Sequence, residues 1–314
     1  MSRFAFVFPG QGSQAVGMIQ ALAEAFPAAR DAMAEADEAL RFHLSRLCYE
    51  GPADELTDTI NAQPAILAAS VAALRAIQSA FPHLGKPAAV AGHSLGEYTA
   101  LVAAGTLSYP DALRLVRERG RLMKEAGEKR PGGMAAVLNL DEEQVAQACQ
   151  QASQETGGVV QIANINSPGQ IVISGDHPTL ERAIALVQGL GARRVVRLAV
   201  SIAAHSPLMA PAAEALQRMI HLVEMRPAIP KLIANVSAAP ISAVEAVRDE
   251  LVKQLTSTVR WTASIQNMIR EGIDTFIEVG PGTVLSGLIR RIDQNVRTLS
   301  VGDPQGMEAL AALI

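Results

Sequence analysis

Gly92-His93-Ser94-Leu95-Gly96 lies between two runs of different habit. Pro87-Ala88-Ala89-Val90-Ala91 before it is apolar and short, as a buried strand is; Glu97 to Ala104 after it is rich in alanine and leucine and predicts a helix. A serine between a strand and a helix, with glycine two residues away on each side, reads as a nucleophile elbow. The glycines permit a sharp turn and close packing, and the turn lifts the hydroxyl to a helix N-terminus, where backbone N–H groups can hold a developing oxyanion. The bland reading is a loop serine without chemistry; the strand–turn–helix context favours the elbow.

Around this turn the pattern is α/β. Arg3–Phe8 reads as a buried strand, Pro27–Leu40 and Asn61–Ala80 as helices, and Ser108-Tyr109-Pro110-Asp111 as the capped start of a helix running to Lys129. From Gly133 the rhythm changes. Strand Met134–Leu140, helix Asp141–Thr156, strands Val159–Ala163 and Gln170–Ser174 joined by a loop over 164–169, helix Pro178–Gly189 and strand Arg194–Val200 follow in turn. This β-α-β-β-α-β order is ferredoxin-like, an insertion of about seventy residues in a larger α/β unit. The expected division is a catalytic domain over 1–130 and 200–314 and a small domain over 131–199. The tail returns to α/β: strand Lys231–Val236, helices Ala243–Leu255 and Thr262–Arg270, strand Thr275–Val279, a helix after Gly280-Pro281-Gly282, and a closing strand Arg297–Val301.

The 314 residues are 49% hydrophobic, enough for a sizeable core, and carry a net charge of −4, which excludes the basic footprint of a nucleic-acid binder. Cys48 and Cys149 have no metal or redox spacing and suggest a reducing compartment. The N-terminal apolar run is too short for a signal peptide, and no run of eighteen apolar residues predicts a membrane span. The expectation is a soluble, cytoplasmic protein, monomeric by default.

Three features could carry chemistry besides Ser94. Gly10-Gln11-Gly12-Ser13-Gln14-Ala15 fits the dinucleotide pattern G-x-G-x-x-A, but Glu35 and Asp37 fall in a helical stretch and no second strand precedes Pro87, so the context for NAD is missing. The alternatives are a structural turn, or a loop reaching the same sheet edge as Ser94. Arg119 lies in the middle of an apolar helix stripe: at about 100° per residue, Ala112, Leu115, Val116, Leu122, Met123 and Ala126 share its side, and Arg114, Arg117, Arg121 and Lys124 face away. A buried guanidinium needs an anion. That anion is either an internal Asp or Glu, or a ligand carboxylate taken by the two-pronged fork. His205, between apolar runs at a strand-to-loop junction, is the best candidate base of the six histidines; His93 adjoins the serine but would point away. A buried structural histidine is its alternative.

Together these residues resemble the malonyl-CoA:acyl-carrier-protein transacylase family and the related acyltransferase domains of polyketide synthases. The likeness runs nearly end to end through Phe8-Pro9-Gly10-Gln11-Gly12-Ser13-Gln14, Gly92–Tyr98, Arg119-Gly120, Asn166-Ser167-Pro168-Gly169-Gln170, His205-Ser206-Pro207-Leu208-Met209 and Glu278-Val279-Gly280-Pro281-Gly282. It implies an α/β-hydrolase-like large domain with a ferredoxin-like small domain over the site. It implies that Ser94 carries a malonyl ester between coenzyme A and the phosphopantetheine thiol of an acyl carrier protein, with His205 as base and acid. The Gln254 backbone carbonyl would orient the imidazole, the Gln11 and Leu95 N–H groups would form the oxyanion hole, and Arg119 and Asn166 would bind substrate. No metal or redox cofactor is implied. Ile202-Ala203-Ala204-His205 departs from the His-Ala-Phe-His and Tyr-Ala-Ser-His runs of polyketide enzymes, and the small Ala204 could leave room for an α-substituent. The expectation is a stand-alone acyltransferase without a ketosynthase or carrier segment, which tilts the reading toward dissociated fatty-acid synthesis.

Two rivals belong to other classes. A serine esterase would place an acid between serine and histidine in chain order, with Asp141 and Asp176 available. A carrier-docking subunit with a relic site would show no acyl adduct.

Overall fold

A strand covered on both faces has no place for a polar side chain, and Phe4-Ala5-Phe6-Val7-Phe8 has none. In the computed structural model, which describes residues 3–313, this run is β1 (Phe4–Phe8), its last four residues buried. Residues 1, 2 and 314, included in the expected domain bounds and the N-terminal reading, lie outside the described residues. The other strands in chain order are β2 (Ala89–Gly92), β3 (Gly132–Leu138), β4 (Val160–Ser167), β5 (Gln170–Asp176), β6 (Arg194–Arg197), β7 (Lys231–Ile233), β8 (Pro240–Ile241), β9 (Thr275–Val279) and β10 (Arg297–Val301).

The larger sheet has the order β10-β9-β1-β2-β7-β8 and is parallel except at β8. Parallel neighbours bring their C-terminal ends to one edge, so the turn after β1 and the elbow after β2 meet there. The contact is close enough to require glycine. A Cβ on Gly92 would overlap the backbone of Gly96, and one on Gly96 would overlap the Phe8 carbonyl.

The second sheet, order β4-β5-β3-β6, is antiparallel throughout. Helices Glu142–Thr156 and His177–Gly189 share a hydrophobic core with it. Asp141 starts the first with a capping box and Asp176 caps the second, which accounts for both acids offered to the esterase reading. The loop expected over 164–169 is a correction: β4 runs through Asn164, Ile165, Asn166 and Ser167, leaving Pro168-Gly169 as the turn. Register shifts at Ile162/Asn164 and Ile165/Ser167 break the alternation, so the polar residues look loop-like in sequence. Strand β4 is tied to the segment before the helix Trp261–Arg270 by backbone bonds from Ile165 N–H to the Val259 carbonyl (2.9 Å) and from Val259 N–H to the Ala163 carbonyl (2.8 Å).

Several elements go beyond the sequence expectations. Ala210–Leu222 is a helix, with Leu216 and Ile220 buried, and Pro304–Leu313 follows the strand expected to close the chain. The strand expected over Arg194–Val200 ends at Arg197. Helix Thr59–Ala80 is long and apolar enough to cross a membrane by length and composition, but 83% of its most apolar window is buried in the protein, as in a core helix. Both cysteines are free and buried, and burial pushes their thiols up to about 12.

Candidate active site

Ser94 sits between β2 and the helix Gly96–Ala103 with φ 51°, a left-handed conformation uncommon outside glycine. Two bonds from one side chain hold it there: Asn235 Oδ1 accepts the Ser94 N–H (2.7 Å), and Asn235 Nδ2 donates to the Gly92 carbonyl (2.7 Å). The elbow expected from the glycine spacing is therefore braced by an asparagine two residues beyond the neighbouring strand β7.

His205 approaches from the far side of the chain, and its Nε2 lies 2.8 Å from Ser94 Oγ. Its Nδ1 lies 2.7 Å from the Gln254 backbone carbonyl. A carbonyl only accepts, so Nδ1 carries the proton and Nε2 offers its lone pair to the serine hydroxyl. Burial first, and then the charge of Arg119, bring the imidazole down to about 3, so it is neutral at ordinary pH. The place an esterase gives to a carboxylate is here taken by a backbone oxygen.

Arg119, on the helix Tyr109–Lys129, is buried beside this pair. Its Nη2 donates to Ser94 Oγ (3.2 Å) and to Gln254 Oε1 (2.9 Å), and its Nη1 to Gln63 Oε1 (2.8 Å). Its Nε is buried and unpartnered. Among the described residues no Asp or Glu bonds it directly. The nearest acid in its network is Glu97, one amide away, because Gln254 Nε2 donates to Glu97 Oε2. The internal ion pair weighed as the alternative for Arg119 is thus replaced by neutral amide oxygens, which orient a guanidinium without neutralising it.

These residues open onto a cavity of about 350 Å³ lined by Gln11, Ser94, Leu95, Arg119, Asn164 and His205, with Met123, Met134, Ile202 and Ala204 adding apolar wall. The backbone N–H groups of Gln11 and Leu95 donate to no other described residue. The turn after β1 therefore reaches the serine's cavity, the second of the readings left open for it.

A family model described as "Acyl transferase domain" matches residues 5–303. The chain belongs to that family. It is 47% identical over 309 residues to the malonyl CoA-acyl carrier protein transacylase of Bacillus subtilis, covering 98% of this chain and 96% of that protein. It is 44% identical over 315 residues to the protein of the same name from Escherichia coli K12, covering both in full. An acyl carrier protein S-malonyltransferase from Vibrio cholerae superposes with a TM-score of 0.94 at 42% identity, over 98% of this chain and all of that one. A malonyl-transacylase solved in complex with a type II PKS acyl-carrier protein gives 0.96 at 40% identity, with both chains fully covered.

Within this acyl transferase domain, one site residue falls differently from the expectations. Asn166 bonds His93, its Oδ1 2.8 Å from His93 Nε2, and the asparagine lining the cavity is Asn164. His93 spends its Nε2 on Asn166 and packs its ring against Trp261 at 5.6 Å between centroids, while also lining the cavity beside Ser94. Glu97, Gln63 and Asn235 carry no role in the sequence reading, yet all are buried in the network behind the serine. Burial first, and then the charge of Glu250, push the Glu97 carboxyl well above its ordinary range. A signal was available for two of them: Glu97 and Gln63 lie in apolar helical runs, as Arg119 does.

Proposed function

We propose that this acyl transferase domain moves a malonyl group from coenzyme A to the phosphopantetheine thiol of an acyl carrier protein, through an ester on Ser94. The observation that carries the reading is a buried guanidinium, bonded to no acid among the described residues, donating to the same oxygen that faces a neutral imidazole. Such a cation is expensive until an anion arrives, and a dicarboxylic acyl group brings one. The names of the relatives support the same donor and acceptor.

In the first half-reaction Ser94 Oγ attacks the thioester carbonyl while its proton passes to His205 Nε2. The Gln11 and Leu95 N–H groups receive the oxyanion. The C–S bond breaks, the proton moves from Nε2 to the departing thiolate, and the malonyl ester remains on Ser94. In the second, His205 takes the proton of the carrier thiol, the sulfur attacks the ester, and Ser94 recovers its proton. Arg119 holds the free carboxylate in both. The charge of Arg119 opposes protonation of His205 until that carboxylate neutralises it, so the base works best with an acidic acyl group in place. No step calls for a metal or redox cofactor, since the donor supplies its own leaving group.

The larger unit, 1–130 with 200–314, is read as α/β-hydrolase-like on its parallel sheet and elbow. The smaller, 131–199, is read as ferredoxin-like on its antiparallel sheet with two helices. The protein is read as a monomer that serves fatty-acid or polyketide synthesis. Weighing the intact protein after exposure to malonyl-, methylmalonyl- or acetyl-CoA tests the donor. A malonyl adduct that vanishes in Ser94→Ala is expected; an acetyl adduct formed as readily would overturn the carboxylate reading.

A further inference from the structure

The strained conformation of His205 is held from outside its own unit. His205 has φ 57°, which costs a non-glycine residue about 1 kcal/mol or more and persists only where surrounding bonds enforce it. One such bond comes from Gln161 on β4, in the second sheet. Its Nε2 donates to the His205 carbonyl (2.7 Å) and also to the Thr256 carbonyl (3.1 Å). Thr256 lies two residues beyond Gln254, whose carbonyl accepts the His205 Nδ1–H. A single side-chain amide therefore joins the two backbone segments whose separation sets the imidazole–carbonyl bond. It uses both of its N–H donors to do so.

We propose that Gln161 is a positioning residue for the catalytic base, the tie through which the second sheet fixes the tautomer and aim of His205. The inference rests on the proposed role of His205 as the base toward Ser94. The tie is braced on either side. Thr258 Oγ1 donates to the Ile162 carbonyl (2.7 Å) and Val259 N–H to the Ala163 carbonyl (2.8 Å), so β4 and the segment after Gln254 are bonded over consecutive residues. Displacing β4 would carry the Gln254 carbonyl and the His205 carbonyl apart, and the imidazole would lose its orientation before it lost its burial. Among the described residues Gln161 makes no hydrogen bond to Ser94 or to a cavity-lining side chain, so its effect would pass through the two backbone segments that set His205 against the Gln254 carbonyl.

The test is single-turnover acylation of Ser94 by malonyl-CoA, read by intact-protein mass across a pH series for wild type, Gln161→Leu and Gln161→Glu. Gln161→Leu keeps similar bulk and removes both bonds. It is expected to slow acylation about tenfold as the imidazole loses its aim, with KM for malonyl-CoA changed by less than about twofold. In Gln161→Glu the neutral carboxyl can still donate to the His205 carbonyl, whereas the carboxylate would repel both carbonyls. Its acylation rate should fall as pH rises, over a range where wild type is flat. Residual activity that merely tracks the folded fraction, or wild-type rates and pH profiles in both variants, would overturn the inference. Should Gln161→Leu not fold, the pH profile of Gln161→Glu decides alone. Wild type that forms no Ser94 adduct would instead remove the transfer reading itself, and the inference with it.

Discussion

Arg119 and His205 converge on one atom: Nη2 of the first lies 3.2 Å, and Nε2 of the second 2.8 Å, from Ser94 Oγ. A permanent cation and a neutral base sharing a hydroxyl are in conflict once the base takes a proton. Like charges held on either side of one hydroxyl still cost of order a kcal/mol or more even at a high effective dielectric. The conflict ends when an anion binds the cation, which ties recognition of the acyl group to its transfer.

Replacing Arg119 by alanine should therefore separate substrates. Malonyl transfer should fall by about 10²–10³, as expected for losing one partner of a buried charge-assisted pair, while acetyl transfer holds or rises. Parallel kcat/KM measurements with the two thioesters check it, and an equal fall in both would refute the carboxylate fork.

The pH profile should be unusual on its acid side. The free-enzyme imidazole lies at about 3, below the ordinary histidine value, so kcat/KM should stay level as pH falls through 6.5. In the acyl-enzyme the carboxylate offsets the Arg119 charge, so the acid limb of kcat should lie at higher pH than that of kcat/KM. Stability follows the same sign. The neutral buried form contributes fully above the unfolded histidine value of about 6.5 and is lost as pH falls toward the folded one. Thermal melts of wild type and His205→Asn between these limits would show the difference.

Asn235→Ala should weaken the elbow. It leaves the Ser94 N–H and the Gly92 carbonyl without their partner, at roughly 1–3 kcal/mol for each buried group that finds no water. A lower melting temperature and a fall in kcat larger than the change in KM are expected. Asn235→Asp, which turns the donor to Gly92 into an acceptor, should do worse at neutral pH.

Gly96→Ala tests the packing of the two loops. The added methyl would overlap the Phe8 carbonyl, and neither backbone can yield without moving strand β1 or the helix Gly96–Ala103. A loss of more than about 2 kcal/mol in denaturant unfolding is expected, against a small effect for alanine at Gly287, which has open space.

Much of this was written locally in the chain. The short apolar run Phe4–Phe8 pointed to a buried strand, the glycines on both sides of Ser94 to a tight turn, and an arginine in the stripe of Leu115, Val116 and Met123 to a buried guanidinium. Those inferences need only neighbours in sequence, because backbone geometry and helical periodicity act over a few residues. The sequence could not choose what Arg119 faces. The tertiary structure set it against the amide oxygens of Gln63 and Gln254, brought from helices far away in the chain. It also chose a backbone carbonyl, rather than Asp141 or Asp176, for the far side of His205, and spent those two acids on helix N-termini. Hydrogen-bond partners are selected by distance and direction in space, and residues scores of positions apart acquire both only when the sheets and helices have packed.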